Sequence, residues 1–588
     1  MDAKARSLTF LENVASVKIP FFQRAYIWNE DNWEDLIADL LLSGKSHFLG
    51  SLILKQVFTL AGDTKQVLVI DGQQRLTTLS ILLRTLYDSF DADTQEACKQ
   101  KLEACLFYKK KASSKELFVK IEHSKIDRRH YLSVIRREIA PASIDPETVD
   151  SNILKCYKFF TDRLVSVDMQ KKIDLFDDLM DDDKKILVVI DLTDADDEQS
   201  IFDTINSAGV RLSSADIVKN VLFQRAFDFY DNNEDVETLY RENWENVFAN
   251  DEQSIEFWAT KRTLGRLTRD NLEILLHSIA VIEGFFDPDN HTLTDLANIY
   301  KAHINGLQMS DLTKFILLIA EYAKLYRQKM YSFDNSDMFG YDEYEKRLFH
   351  ILSVCDISTF HPYVLSLYKN FAGNEAALKV ALHKLETLVV RRFVCNSETK
   401  SYNKLCKEFI SAPSRLETKL AETCDEAFKA ALQRINNKTA ALLLFWVELY
   451  RRSKNPRYDR DELKYTYTLE HIMPQKWEEF WSDVPVTGDD GAIITDVEAA
   501  RQYRYRMIYS IGNMTLLKSS LNTALRNYEF SRKVVGEGRK RGIRDYAELG
   551  ITRLDIVAPF EAGDLVWDET KIHIRGNEIA DDVLAIWS

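Results

Sequence analysis

Apolar positions change their spacing three times along the chain. In "HFLGSLILKQVF" (47–58) and "KQVLVID" (65–71) apolar and β-branched residues run together, and the turn-rich "TLAGDT" lies between them. That pattern predicts two strands and a connecting turn. "QQRLTTLSILLRTLYDSF" (73–90) places its apolar residues at helical spacing instead. A second strand-to-helix unit follows: "KKILVVIDL" reads as a buried strand and "DADDEQSIFDTIN" as a helix. "SAGVRL" is then a loop, and "SSADIVKNVLFQRAF" a helix opened by Ser213 with Asp216 three residues on. From 228 to 450 the spacing is almost wholly helical, as in "NLEILLHSIAVIEGFF" and "AALKVALHKLETLVVRRFV", with no fixed-period repeat. From about 455 strands return with short helices, and the tail "DLVWDETKIHIRGNEIADDVLAIWS" predicts strands and then a short helix. The expectation is an α+β multidomain chain: an α/β domain over 1–227, a helical connector over 228–450, and a mixed domain with a tail over 451–588.

Composition narrows this picture. At 588 residues the chain is long enough for several domains, and 45% hydrophobic content supports sizeable cores. Its seven cysteines form no CxxC pair, which predicts reduced thiols, no zinc ribbon and a cytoplasmic protein. No run of about 18 apolar residues predicts a membrane span, and the first twenty residues lack the apolar core of a secretory signal. A net charge of −15 disfavours nucleic acid as a partner of the whole surface. Between Arg501 and Arg544, however, eleven basic residues face two acidic ones.

Two segments carry candidate chemistry. In "VLVIDGQQRLTTL" a strand meets a helix through Gly72, which permits a tight turn. The free N–H groups at the helix start suit an anion, and Arg75 suits bidentate phosphate contacts. Upstream, "IPFFQRAYIW" offers Gln23 and Arg24 among aromatics. The plainer alternative makes Asp71 a helix cap and Arg75 a surface ion-pair partner. In "YTLEHIMPQKW" Glu470 and His471 end a strand, and "IYSIGNMTLLKSSLNTALRNYEF" follows with Asn513 and Asn522. Phosphodiester cleavage needs an activated water and a cation that stabilises charge on phosphate. His471 can take a proton near neutral pH. Glu470 and the Asn522 carbonyl are hard oxygen donors for Mg²⁺ or Mn²⁺, Asn513 can orient the imidazole by hydrogen bonding, and Lys518 and Arg526 can meet phosphates. A lone Glu-His pair would more simply be structural.

The motifs "IPFFQRAYIW", "IDGQQRLTTL" and "IFDTINSAGVRLSSADIVKN" resemble the GmrS-like N-terminal domain of modification-dependent restriction enzymes, which is related to the ParB fold. The resemblance implies that Arg24, Asp71, Gly72, Gln73, Gln74 and Arg75 line a pocket for a nucleoside triphosphate. The third motif departs from the family pattern, with Ala208 and Arg211 where Arg and Pro are usual. "EHIMPQ", "IGNMTLL", Asn522, Phe530 and Lys533 resemble the GmrD-like C-terminal domain, an HNH nuclease of ββα-metal layout. Together they imply an NTP-regulated, divalent-metal-dependent endonuclease of the GmrSD type that hydrolyses its nucleotide. It would act on double-stranded phage DNA carrying hydroxymethylated, glucosylated or methylated cytosine, in antiviral defence. A homodimer and a cytoplasmic location are further expectations. Two alternatives stand beside this reading: a nucleotide-gated DNA-binding regulator with a vestigial nuclease centre, and a nuclease acting on RNA.

Overall fold

The computed structural model describes residues 2–14, 16–23, 25–42, 48–56, 66–109, 115–193, 213–230, 233–264, 267–330, 333–334, 336–398, 400–455, 462–519, 527–537 and 540–588. The chain is a mixed α and β protein in which helix predominates. It divides into two units, Met1–Tyr240 and Arg241–Ser588, so the helical middle and the C-terminal region lie in one unit.

The first unit is built on a mixed six-stranded sheet. Its strands are β1 (Asp2–Arg6), β2 (Ser16–Lys18), β3 (Ser51–Gln56), β4 (Gln66–Asp71), β5 (Ile121–Glu122) and β6 (Leu187–Leu192), in the spatial order β1-β6-β3-β4-β2-β5. The apolar runs expected as strands are β3, β4 and β6. β3 and β4 pair antiparallel with a slip between Ile53 and Leu54, and β3 runs parallel to β6. "TLAGDT", "SAGVRL" and the helix expected over 194–206 lie outside the described residues. Alternation along β3 serves two faces: Leu52 and Leu54 enter the main core, while Ile53 packs with Ile190 and Leu192 on the other side.

Helix α1 (Glu30–Leu40) starts at a capping box made by Asn29 and Asn32. Helix α2 (Gln73–Ser89) lies beneath the sheet and is buried almost all round. Its polar residues survive there because they are paired. Thr78, Ser80 and Thr85 donate to the carbonyls of Gln74, Thr77 and Ile81, and Arg84 meets Asp88 at 2.6 Å. Helix α3 (Ser214–Phe229) begins where the capping pattern placed it, with Ser213 Oγ accepting from the Asp216 N–H at 3.1 Å.

In the second unit, long helices such as α4 (Glu375–Val394) and α5 (Asn437–Lys454) bear out the helical spacing. A strand inside that stretch, β7 (Met338–Gly340), pairs antiparallel with β8 (Glu462–Lys464) and ties the helical region to the part that follows. The C-terminal part contains β9 (Tyr467–His471), helix α6 (Val497–Ile508), β10 (Met514–Lys518), helix α7 (Phe530–Val535) and helix α8 (Glu569–Ile586). The tail departs from expectation. "KIHIRG" alternates like a strand, yet Ile572, Arg575, Gly576, Ile579, Val583 and Ile586 are among the buried positions of one 18-residue helix. That three-to-four-residue spacing outweighs the short alternation. Asp568 caps the helix through the Lys571 N–H at 3.0 Å. No described helix is long and apolar enough to cross a membrane.

Two buried histidines are held by structural partners. His123 bonds Thr77 at 2.9 Å, and His350 accepts from the Trp446 indole at 3.2 Å. Burial pushes their pKa values down, to about 3 and about 4. The unfolded chain takes up these protons near pH 6.5, whereas the folded chain refuses them until about 4 for His350 and about 3 for His123. Stability should therefore fall as pH drops from 6.5 toward 4. Thermal unfolding of wild type and of H123Q/H350Q at pH 7 and pH 5 tests this. The double variant should lose less of its melting temperature on acidification, and equal losses would refute the assignment.

Candidate functional site

In the first unit the expected nucleotide residues converge on one turn. Gly72 sits at φ +90° as the residue before α2, and a Cβ there would lie 2.4 Å from Leu52 Cδ2. Both the left-handed backbone and the close approach require glycine. No side chain caps this helix start. Gln74 reaches back to the "QRAYIW" segment: its Oε1 accepts from the Ile27 and Trp28 N–H groups at 2.8 and 3.3 Å, and its Nε2 donates to the Ala25 carbonyl at 3.1 Å. Gln23 donates to the Val69 carbonyl at 2.8 Å. Tyr26 completes the attachment, with its N–H on Asp127 at 2.7 Å and its hydroxyl against Thr78 and Trp33.

The structure thus brings Gln23, Asp71, Gly72, Gln73, Gln74 and Arg75 around one strand-to-helix turn. Arg24 lies outside the described residues, as do Ala208 and Arg211. Gln23 and Gln74 hold main chain to main chain rather than presenting free amides. The Arg75 Nη1 donates to the Ser51 carbonyl at 2.6 Å, and its guanidinium lies against Gly50, where a Cβ would come within 2.7 Å. Burial lowers the Arg75 pKa, and the nearby Asp71 carboxylate opposes that shift. The plainer alternative, Arg75 in a surface ion pair, does not describe a guanidinium held on backbone.

In the second unit β9 and β10 form an antiparallel ladder in which Glu470 faces Thr515 and His471 faces Met514. The Glu470 carboxylate meets Lys533 of α7, whose Nζ is 2.6 Å from Oε1 and 2.8 Å from the His471 carbonyl. Burial raises the Glu470 pKa, and the ammonium opposes that rise. The His471 ring lies edge-on to Tyr509, with centroids 6.1 Å apart. Its Nε2 is buried and has no hydrogen-bond partner among the described residues. Burial first, and then Lys533, push the imidazole pKa down to about 4. The ring is therefore neutral near pH 7.

Asn513 is fully buried and does not turn its amide to the imidazole. Its Oδ1 accepts from the Met473 N–H at 2.8 Å and the Trp567 indole at 3.2 Å, and its Nδ2 donates to the Met473 and Ile508 carbonyls at 2.8 and 3.0 Å. It shapes the chain just after His471 instead. Asn522 and Arg526 lie outside the described residues. Among the described residues, no cluster of three or more His, Cys, Asp or Glu side chains forms a metal cage.

The basic stretch is not one solvated face. Arg504 is buried on Glu569 at 2.5 Å and on the Trp481 carbonyl at 2.9 Å, and Lys533 is internal. Lys518 pairs with Glu548 and Arg532 with Glu537. Arg501, Tyr505 and Arg506 are exposed on α6, and the Tyr505 ring lies 5.4 Å from that of Tyr509. Sequence reasoning gave no role to Arg575, Glu569 or Trp567, because no local motif surrounds them. Lys533 was visible only as a motif letter.

Residues 8–223 match the N-terminal domain of GmrSD restriction endonucleases, and residues 422–582 match the C-terminal domain of the same enzymes. The two halves of a DNA-cutting restriction enzyme are joined here in one chain. The chain belongs to the GmrSD restriction endonuclease family. A comparison with curated proteins found no match.

Asn513→Asp would replace two N–H donors by an acceptor facing the Met473 and Ile508 carbonyls. Leaving buried polar groups unpaired beside a new charge should destabilise this unit by roughly 2–4 kcal/mol. Chemical denaturation measures the loss. A variant as stable as wild type but inactive would return Asn513 to a direct role on the imidazole.

Proposed function

We propose that the C-terminal centre cuts DNA as an HNH nuclease and that the N-terminal turn binds a nucleoside triphosphate that regulates it. The observation that carries the reading is the buried Nε2 of His471, without a partner among the described residues, at the end of β9, where the neighbouring Glu470 carboxylate and the His471 carbonyl share the Lys533 ammonium. A neutral imidazole whose nitrogen is unpartnered is ready to take the proton of an attacking water. The order of a strand with Glu-His at its end, a return strand and a helix that reaches back to the acid supports the ββα reading.

A hard cation that keeps most of its water takes one or two protein donors and completes its shell with substrate phosphate. The Glu470 carboxylate, a hard oxygen donor at the end of β9, fits such a group, with Asn522, outside the described residues, as the further donor. Bound there, Mg²⁺ or Mn²⁺ would supply charge stabilisation on the phosphate and on the leaving oxygen. Glu470 would hold the cation, His471 would accept the water proton, and the fixed turn after β9 would keep both in place. Exposed Arg501 and Arg506 suit phosphate contacts. The resemblance to modification-dependent enzymes favours DNA with modified cytosine over RNA, and this choice is part of the proposal.

In the first unit the uncapped start of α2, with Arg75 held over Gly50, supports anion binding at that turn. Two sites influence each other only where each ligand prefers one of the same two states. A restraint on cutting that hydrolysis releases would suit an enzyme that must spare host DNA.

His471→Ala should lower cleavage of modified DNA by about 10²–10⁴-fold without loss of fold, and EDTA should abolish cutting by wild type until Mg²⁺ or Mn²⁺ is restored. Cleavage of modified and unmodified DNA by wild type, H471A and E470A measures this. Near wild-type cutting by H471A would remove the centre. Arg75→Ala should lower NTP affinity by about 10–150-fold in calorimetry, the equivalent of one charge-assisted contact. It should also shift the NTP dependence of cleavage. Identical cleavage by wild type and R75A across an NTP titration would leave the two ends merely tethered.

A further inference from the structure

Lys533 combines full burial, a charge and direct contact with the reacting pair. It lies on α7 with its side chain 0% exposed. Phe530 and Val534, on either side of it in the helix, are part of the core formed with Ile472, Met473 and Trp567, so packing decides where its ammonium sits. The ammonium bonds two things at once: Glu470 Oε1 at 2.6 Å and the His471 carbonyl at 2.8 Å. A buried ammonium is tolerated only when paired and hydrogen-bonded, and both bonds here end on the two residues of the centre. The second bond holds the last carbonyl of β9, the point from which the turn fixed by Asn513 departs.

We propose that Lys533 is a positioning residue of the Glu470–His471 centre that also limits the affinity of Glu470 for divalent cations. This rests on the nuclease reading above. Its bond to the carboxylate fixes the direction of that group, and its bond to the strand end fixes the imidazole's starting point. A unit positive charge at hydrogen-bond distance also offsets part of the carboxylate's attraction for a dication, because the two cations repel each other in a poorly solvated site. The same charge attracts a phosphodiester. Cation loading is thereby weak on the protein alone and strengthened when DNA phosphate adds its own oxygens. The enzyme then assembles its cation site on substrate.

The test uses the full chain with K533M, K533R, E470Q and E470Q/K533M. Mn²⁺ binding is measured by calorimetry without DNA, cleavage in single turnover on modified DNA, and stability by thermal unfolding. K533M should bind Mn²⁺ at least threefold more tightly than wild type while cutting at least tenfold more slowly, with K533R between the two. A merely structural lysine would weaken Mn²⁺ binding or leave it unchanged, and either result overturns the proposal. E470Q/K533M should recover melting temperature that K533M loses, since it leaves no charge unpaired. If K533M does not fold, the double variant decides: stability at or above that of E470Q supports the pairing, and a further fall overturns it. An inactive H471A beside a K533M that matches wild type in all three measurements would overturn the role of Lys533 alone. H471A cutting like wild type would overturn the nuclease reading and this proposal with it.

Discussion

The C-terminal helix α8 lies so close to residues 511–513 that only glycine fits at position 512. A Cβ there would fall 2.0 Å from the Ile572 carbonyl and 2.7 Å from the Gly576 nitrogen. This close contact lets Arg575 reach under the start of β10 and donate to the Gly512, Met514 and Ile551 carbonyls, all within 2.9 Å. Asn513, between those carbonyls, is then aimed at Met473, and the turn after His471 follows from its amide. Glu569, at the first turn of α8, holds Arg504 of α6. The strand pair, the helix before it and the turn after it are all referred to one helix at the end of the chain. Its last turn is anchored in turn to the helical region, where Arg391 bonds the Trp587 carbonyl and Glu386 accepts from the Trp587 indole.

The first unit solves a similar problem by other means. A segment rich in aromatics must lie against a strand-to-helix turn without belonging to the sheet. Gln74 supplies the missing partners, acting as a short piece of strand edge for residues 25–28. Buried main-chain groups need partners, so a side-chain amide with both donors and acceptors suits this place better than an apolar residue would. The arginine one position later is held on backbone by the strand start.

The charge distribution gains its meaning from the same packing. A stretch with a strong local excess of basic residues looks like one nucleic-acid surface when read as a line. Folded, its described residues separate into three groups: arginine and lysine inside the protein, where they bind carbonyls and the carboxylates of Glu569 and Glu470; pairs with Glu537 and Glu548 at the surface; and the exposed Arg501, Arg506, Arg541 and Arg544. Only the last group answers to the simple picture. Internal cations carry more structural weight, because an unpaired charge in a poorly solvated interior is far more costly than one in water.

Much of this protein was legible in its sequence, because local patterns carry local structure. Apolar runs in 51–56, 66–71 and 187–192 became strands, the Ser213 cap opened its helix, and Gly72 marked the turn that its φ requires. The Glu470–His471 pair and its family could be identified from residue types and order. The tail was misread because six alternating residues imitate a strand, and only a longer window reveals the helical spacing of Ile572, Ile579 and Val583. The direction of the Asn513 amide, the burial of Lys533 and the grip of Arg575 had no local signal at all. They join residues separated by 40 to 63 positions. Spacing along a chain predicts what neighbours on one helix or strand will do. Which distant groups meet is decided by packing, since buried charges and amides take whatever partners the folded core sets within hydrogen-bonding distance.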